Sequence, residues 1–276
     1  MKIHPIQTGT VAIRQTQIRG SGPGPVRRLR PLVSGAWTDP PTPILAWVIE
    51  HPEGVIVVDT GELARAARPG YFPWWHPYFK RAARFAVDPE EEVGPRLKGL
   101  GLSPDDVRWV VITHLHTDHA GGLGYFPKVE VVISRGEYLA ARSPLATLNG
   151  YLQHHWPAWL EPRLVGFEGT RRTGGLPSVP LTKAEDVVLV STPGHTAGHM
   201  SVVALNGAAP VFMAGDVSYL EATLMEEAVD SVAPDAGVAR QTLAVVKRYV
   251  TETGAAYLPT HDPGSKARLA AAVAAG

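Results

Sequence analysis

The chain has 276 residues, with 26 Lys plus Arg against 26 Asp plus Glu, and no cysteine. A formal net charge of zero leaves no long-range field to gather nucleic acid or an anionic membrane, which argues against a nuclease or DNA-binding role. Without thiols there are no disulfides, cysteine nucleophiles, thiolate-zinc sites or iron–sulfur clusters, so any metal must be held by nitrogen and oxygen.

The length admits two ordinary domains or one large α/β domain. Hydrophobic residues at 45% and charged residues at 19% describe a soluble globular chain rather than a disordered one. The 28 glycines and 25 prolines make up about 19% of the chain against a usual ~12%, so many turns are expected and a long-helix bundle is not. Met1 to Arg14 lacks the apolar core of a signal peptide, and no run of 18 apolar residues suggests a membrane span. The cytoplasm is the expected compartment.

In chain order, the segment from residue 14 to 43 is Pro/Gly-rich and reads as a loop region. Arg27, Arg28 and Arg30 are expected there as solvated charges. Residues 44–60, ILAWVIEHPEGVIVVDT, read as a hairpin turning at His51-Pro52-Glu53-Gly54. Residues 71–85 carry seven aromatics and two prolines, as either a packed surface excursion or an aromatic lid over an apolar substrate. Residues 108–113, RWVVIT, form a short apolar run with the look of a buried strand. Val129 to Ser134 is another strand, followed by a helix over Arg135 to Arg142. A second aromatic patch holds Tyr151, His154, His155, Trp156 and Trp159. Further strands fall at Val187 to Ser191, Met200 to Leu205, Val211 to Ala214 and Ala256 to Pro259. Asp235 to Thr253 has helical periodicity, with Val238, Leu243, Val246 and Val250 on one side and Gly254 as its stop. A short Ala-rich helix ends the chain. No linker divides it, and the pattern fits two sheets packed face to face with helices outside, in a single domain over 1–276.

The strongest signal is His114-Leu115-His116-Thr117-Asp118-His119, directly after a buried strand. In an extended segment residues i and i+2 point the same way, so His114 and His116 can converge on one ion. The chain then turns, and Asp118 and His119 can face a second. Gly121-Gly122 are expected to let the backbone bend tightly behind them. Three more positions put a polar ligand type at the end of an apolar strand: His195 after VVLVSTPG, Asp216 after VFMAG, and His261 after AYLPT. Strand ends are where ligand-binding groups collect in open α/β sheets. One histidine on an apolar stretch is ordinarily a satisfied core residue. Four such groups in six residues, buried and unpaired, would be costly, and a metal is the simplest compensation. Five histidines and two carboxylates suffice for two divalent cations sharing a carboxylate. Nitrogen and oxygen donors suit zinc first, with iron, manganese or cobalt also admitted.

Two such cations lower the pKa of a bridging water toward ~7 and make a hydroxide nucleophile, so no side-chain nucleophile is needed. That agrees with the absence of cysteine and of a GxSxG motif. The residues read as a site for metal-assisted hydrolysis.

These motifs resemble the metallo-β-lactamase superfamily: VVDTG (57–61), THLHTDHAGG (113–122), TPGHTAGH (192–199), AGD (214–216) and THD (260–262), in the expected order. The resemblance implies a four-layer αββα sandwich with a dinuclear site along one edge of the sheets. It implies that His114, His116 and His195 bind the first metal, that Asp118, His119 and His261 bind the second, and that Asp216 bridges. Asp59 would support a ligand histidine by hydrogen bonding, and His199 would stand outside the ligand set. Within the superfamily the likeness is nearest to N-acyl homoserine lactonases, since Tyr219 stands three residues after Asp216, where that family's tyrosine reaches the substrate carbonyl. The stretch 119–141 and the terminal His-Asp pair look like the same family. The expected activity is hydrolysis of an acyl lactone or ester by a homodimer, with quorum quenching as the implied role. Tyr219 would stabilise the oxyanion, Asp118 would pass a proton to the leaving alkoxide, and the aromatics of 71–85 and 151–159 would hold an acyl chain. The same metal site would also serve a thioesterase, an aryl ester or organophosphate hydrolase, or a β-lactamase. The segments to residue 43 and 71–85 match no motif of the family.

Overall fold

The computed structural model describes residues 1–205, 207 and 209–275. The first sheet holds β1 (Lys2–Ile13), β2 (Thr42–Glu50), β3 (Val55–Val58), β4 (Ala83–Ala86), β5 (Val107–Ile112), β6 (Glu130–Ser134) and β7 (Arg163–Val165). Their order across the sheet is β4-β1-β2-β3-β5-β6-β7. β3, β5, β6 and β7 run parallel, while β1 pairs antiparallel with β2 and β4. The second sheet holds β8 (Arg171–Thr173), β9 (Leu176–Pro180), β10 (Val187–Ser191), β11 (Met200–Ala204), β12 (Val211–Gly215) and β13 (Ala256–Pro259). It runs β13-β12-β11-β10-β9-β8 and is antiparallel except for β12 beside β13.

Strand alternation explains the layering. Leu45, Trp47 and Ile49 of β2 point into a core shared with Val187 and Leu189 of β10 and with Met200 and Val202 of β11. The intervening Ala46 and Val48 face outward, where Val93, Leu97 and Leu123 cover them. On the far side, Val190, Val203 and Phe212 meet Leu243, Val246 and Val250 of the helix Ala236–Thr253. Each such side chain, fully buried, contributes roughly 1.5–3 kcal/mol. The result is helix, sheet, sheet, helix: the αββα sandwich.

The hairpin, the strands expected near 108–113, 129–134, 187–191, 200–205, 211–214 and 256–259, and the long helix lie where their periodicity puts them, whereas β7, β8 and β9 have no counterpart among the expected strands. Asp235 caps that helix, its carboxylate accepting from Gly237 N at 2.7 Å, and Gly254 ends it at φ +66°. Ala239 rather than Val238 joins its buried face. The expected loop region is corrected: it contains the helices Gln15–Ile18 and Gly24–Val33. Pro25 sits in the first turn of the second, where its missing N–H costs nothing. Arg27 is corrected too. It is buried, and its guanidinium donates to the carbonyls of Asp230 and Ala233. No helix among the described residues is long and apolar enough to cross a membrane.

Candidate metal centre

β5 ends at Ile112, and the chain continues extended through His114 to His116 before the helix Thr117–Ala120 begins. The i, i+2 geometry therefore holds. His114 Nε2 lies 3.0 Å from His116 Nδ1, which lies 3.1 Å from His195 Nε2. Asp118, His119 and His261 form a second group, and His114, His119 and Asp216 a third. Asp216 touches both sides. Its Oδ1 is 3.4 Å from His119 Nε2, and its Oδ2 is 3.5 Å from His195 Nε2 and 3.4 Å from His261 Nε2. All seven residues named from the sequence come together at one end of the two sheets, after β5, β10, β12 and β13.

Each imidazole is oriented by what its other nitrogen touches. His119 Nδ1 meets Asp59 Oδ2 at 2.8 Å, His195 Nδ1 meets Asp230 Oδ2 at 3.2 Å, and His261 Nδ1 meets the Pro43 carbonyl at 2.9 Å. His116 Nε2 bonds the Asn149 carbonyl at 2.9 Å. These contacts leave the inward nitrogens free to donate electron pairs to a cation. Asp59 holds its position at φ +60°, a conformation that costs a non-glycine residue roughly 1–3 kcal/mol. Three bonds hold it there, since its carboxylate also accepts from Thr113 N and Thr113 Oγ1. His199 stands outside the group. Its Nε2 accepts from Asp216 N at 3.0 Å and so positions the Asp216 backbone.

The electrostatics match a cation site. Burial lowers His114 well below the ordinary imidazole value, helped by the neighbouring imidazoles. His116 is lowered to about 3, by burial first and His195 second. Burial also acts against charge on His119, but Asp216 and Asp59 outweigh it and hold that group well above its usual value. Asp216 is kept well below the carboxylate range despite burial, by His261 and His119. Positive charge is thus favoured where Asp216 faces the histidines. His119 Nε2 and Asp216 Oδ1 are buried with no hydrogen-bond partner. Such orphaned atoms are costly unless something binds them. A set of imidazole and carboxylate donors fits divalent metal ions.

Sequence reasoning missed three supports. Asp230 sits in an irregular stretch with no strand-end signature. Glu137 is buried in the helix Arg135–Ala141; its carboxylate accepts from Leu115 N at 2.9 Å and from Thr196 Oγ1 at 2.7 Å. It thereby ties the two loops that carry His114 and His195. Gly198 lets this happen, because a Cβ there would lie 1.9 Å from Glu137 N. Glu62, also buried, accepts from Tyr71 Oη at 2.7 Å and from Thr117 Oγ1. The Gly121-Gly122 expectation changes in its reason. Neither has a positive φ; a Cβ on Gly122 would come within 2.4 Å of the Thr60 carbonyl. The pair permits close packing rather than a tight bend.

A cavity of about 550 Å³ opens over the cluster, with His116, Asp118, His195, Asp216 and His261 in its wall. Tyr219 joins them, its ring stacked on His261 at 5.4 Å and edge-on to His195 at 5.8 Å. Burial first, then Tyr78 and nearby carboxylates, raises its phenol well above the usual value, so it keeps its proton. The aromatic segment 71–85 divides. Pro77, Tyr78, Phe79 and Phe85 line the cavity, while Trp74 is 85% exposed. The patch at 151–159 does not line it, which corrects the expectation that it holds an acyl chain. Trp156 and Trp159 pack on the outer face of the first sheet, and Tyr151 is buried beside them.

Residues 39–261 match the Metallo-beta-lactamase superfamily. An N-acyl homoserine lactonase, AttM, of Agrobacterium fabrum is 24% identical over 98% of this chain and 96% of its own. An N-acyl homoserine lactonase of a Bacillus species is 29% identical over 67% of this chain and 68% of its own. Among solved structures, an N-acyl homoserine lactone hydrolase with N-hexanoyl-L-homoserine bound at its catalytic metal centre superposes with a TM-score of 0.74. It is 22% identical and covers 96% of this chain and 95% of its own. The hydrolase AbOPH superposes at 0.63 with 18% identity, covering 96% and 88%. The chain belongs to the metallo-β-lactamase superfamily, as one of its metal-dependent hydrolases.

Proposed function

We propose that this protein opens the ester ring of lactones by hydrolysis, with N-acyl homoserine lactones as the leading substrates. The observation that carries this reading is Tyr219. Its phenol stands against His195 and His261 in the wall of the cavity above the cluster, and the full-length likeness to lactonases supports the reading.

The donor set suits two cations. His114, His116 and His195 would hold one, Asp118, His119 and His261 the other, and Asp216 would reach both. We propose zinc. When bound, a pair of divalent cations lowers the pKa of water toward ~7, supplies a hydroxide nucleophile at neutral pH and polarises a carbonyl oxygen. Tyr219 donates its O–H to the ring carbonyl oxygen as negative charge develops there. Asp118, at the cavity wall, takes up the proton that the attacking oxygen sheds once it is bonded to the carbonyl carbon and passes it to the leaving alkoxide. The ring C–O bond breaks, and the product carries a carboxylate and a hydroxyl. Leu29, Leu32, Phe79 and Phe85 give the acyl chain an apolar surface. The shared inter-sheet core supports reading the chain as one domain. The exposed apolar side chains Val26, Val33 and Trp74 support a homodimer, to be checked by sedimentation.

The test is proton release from a long-chain N-acyl homoserine lactone by the metal-loaded protein, beside an activated aryl ester. A kcat/KM of roughly 10⁴ M⁻¹s⁻¹ or more on the lactone, exceeding the ester, is expected. Cleavage of the ester alone would overturn the lactonase reading. Tyr219→Phe is expected to lower kcat by about 10²-fold at full metal content, as loss of an oxyanion donor does.

A further inference from the structure

The neutral total charge conceals a segregation. Three segments, 14–38, 63–87 and 138–160, hold eleven of the 26 Lys and Arg and none of the 26 Asp and Glu. They are far apart in sequence and tied together in space. Arg14 Nε donates to the Arg81 carbonyl at 3.1 Å and Arg28 Nη2 to Asn149 Oδ1 at 2.6 Å, while His76 Nε2 meets the Thr147 carbonyl at 2.8 Å. All three segments line the cavity over the cluster, and Arg28, Leu29 and Leu148 are both lining and exposed, so they stand at its rim.

Two of the eleven cations are accounted for within the chain: Arg27 is buried, and Arg19 pairs with Glu226. Among the described residues none of the other nine forms an ion pair, although Lys and Arg elsewhere do. Several are held in place without being neutralised. Arg14 and Arg84 stand over the Trp37 ring at 3.9 and 4.1 Å, Arg65 over Tyr71 at 5.5 Å and Arg142 over Tyr138 at 5.4 Å. An aromatic face orients a guanidinium and leaves its charge intact. Arg30 donates to the neutral Ser21 hydroxyl, and Arg68, Lys80 and Arg81 are exposed. Protein surfaces ordinarily intersperse the two signs, since like charges gathered together repel until an anion binds. The same segments also expose Leu29, Trp75, Leu145 and Leu148. Cations interleaved with exposed Leu and Trp are the composition of a lipid interface, where the cations meet headgroups and the apolar side chains enter the acyl boundary. Nucleic acid would satisfy the charges and leave the leucines in water. We propose that the rim of the cavity docks on an anionic lipid surface, peripherally, with no helix crossing it. The chain as a whole has no long-range field, so this attraction acts within a Debye length, about 8 Å at physiological salt. The docking goes beyond the lactonase reading and does not rest on it.

The experiment sediments the metal-loaded full chain with vesicles of phosphatidylcholine alone, or of phosphatidylcholine with about a third phosphatidylglycerol. The wild type is expected to bind the anionic vesicles about tenfold or more tightly than the neutral ones, and to be released by salt. Arg68→Gln with Lys80→Gln should weaken that binding by about tenfold or more, since each charge near the surface is worth roughly fivefold. Lys98→Gln with Lys128→Gln removes the same charge from exposed positions outside the three segments and should leave binding within about twofold of the wild type. Leu145→Ser should weaken binding severalfold with the salt dependence unchanged, and it carries the test if the first pair does not fold. No binding to either vesicle, or equal weakening by the two charge pairs, overturns the docking and leaves the lactonase reading untouched. Binding of a single-stranded oligonucleotide in place of the vesicles, lost in the first pair, would give the face to nucleic acid and overturn it too. So would a dimer, seen by sedimentation, that Leu145→Ser takes apart, because a second copy would then cover the rim.

Discussion

The metal-binding end of the sheets and the wall of the cavity above it are built in opposite ways. At the metal end, five of the seven proposed ligands follow directly on a strand and Asp118 and His119 sit in the helix Thr117–Ala120 just beyond; five of the seven are almost wholly buried, and His119, His195 and His261 each have their outer ring nitrogen bonded to a second residue. Much of the cavity wall comes from the helices Gly24–Val33 and Pro77–Arg81, which add no side chain to the core between the sheets, and Leu29 there is 58% exposed. One region fixes chemistry through rigid elements. The other shapes a surface that can change without disturbing the fold.

That contrast can be broken from the metal side first. Asp216→Ala removes the carboxylate that touches both halves of the cluster. Activity is expected to drop to background and bound metal to fall, read by elemental analysis and turnover; full metal content with full activity would show that Asp216 is dispensable. A step further out, Asp230→Ala leaves every proposed ligand in place but frees His195 Nδ1. Metal affinity should weaken by about 10–100-fold in a competition titration with a chelator. On the wall side, Leu29→Ala should change stability by less than about 0.5 kcal/mol, as exposed positions do, while raising KM severalfold more for long-chain than for short-chain lactones. Equal effects on both chain lengths would remove Leu29 from the acyl surface.

The smallest effect concerns the seam between the regions, where Glu62 holds Tyr71 of the aromatic segment and Thr117 of the metal loop. Burial pushes its carboxyl from the ordinary 4.5 up to about 8. Between those values the native chain keeps a proton that the unfolded chain releases, so this group's contribution makes stability fall as pH rises through that window. Glu62→Gln cannot titrate. Denaturant unfolding at several pH values from about 5 to 8 should show a shallower decline for the variant than for the wild type; parallel curves would mean that Glu62 titrates normally.

What the sequence reveals follows the same divide. His114, His116, Asp118, His119, His195, Asp216 and His261 stand out because each follows closely on an apolar strand, a local pattern. Asp230 orients His195 from 35 residues away and the Gln17 amide donates to Tyr219 Oη from 202 residues away, and nothing local marks either. Glu137 is disguised as an ordinary acidic residue in the first turn of a helix. β1 escapes because its alternation breaks where the register shifts between Gln7 and Thr10. The helix Gly24–Val33 is hidden by Pro23, Gly24 and Pro25 at its start and Pro31 inside it, all of which read as breakers until Pro25 is seen in the first turn.

The cluster also straddles the interface between the two sheets. His114, His116, Asp118 and His119 follow β5 of the first, and His195, Asp216 and His261 follow strands of the second. A folding chain can therefore assemble this end only after residues some 150 positions apart have met, a long-range closure that comes slowly. Cations held by the proposed ligands would bind the docked sheets and not the separated ones, and would so act as a clasp on the sandwich.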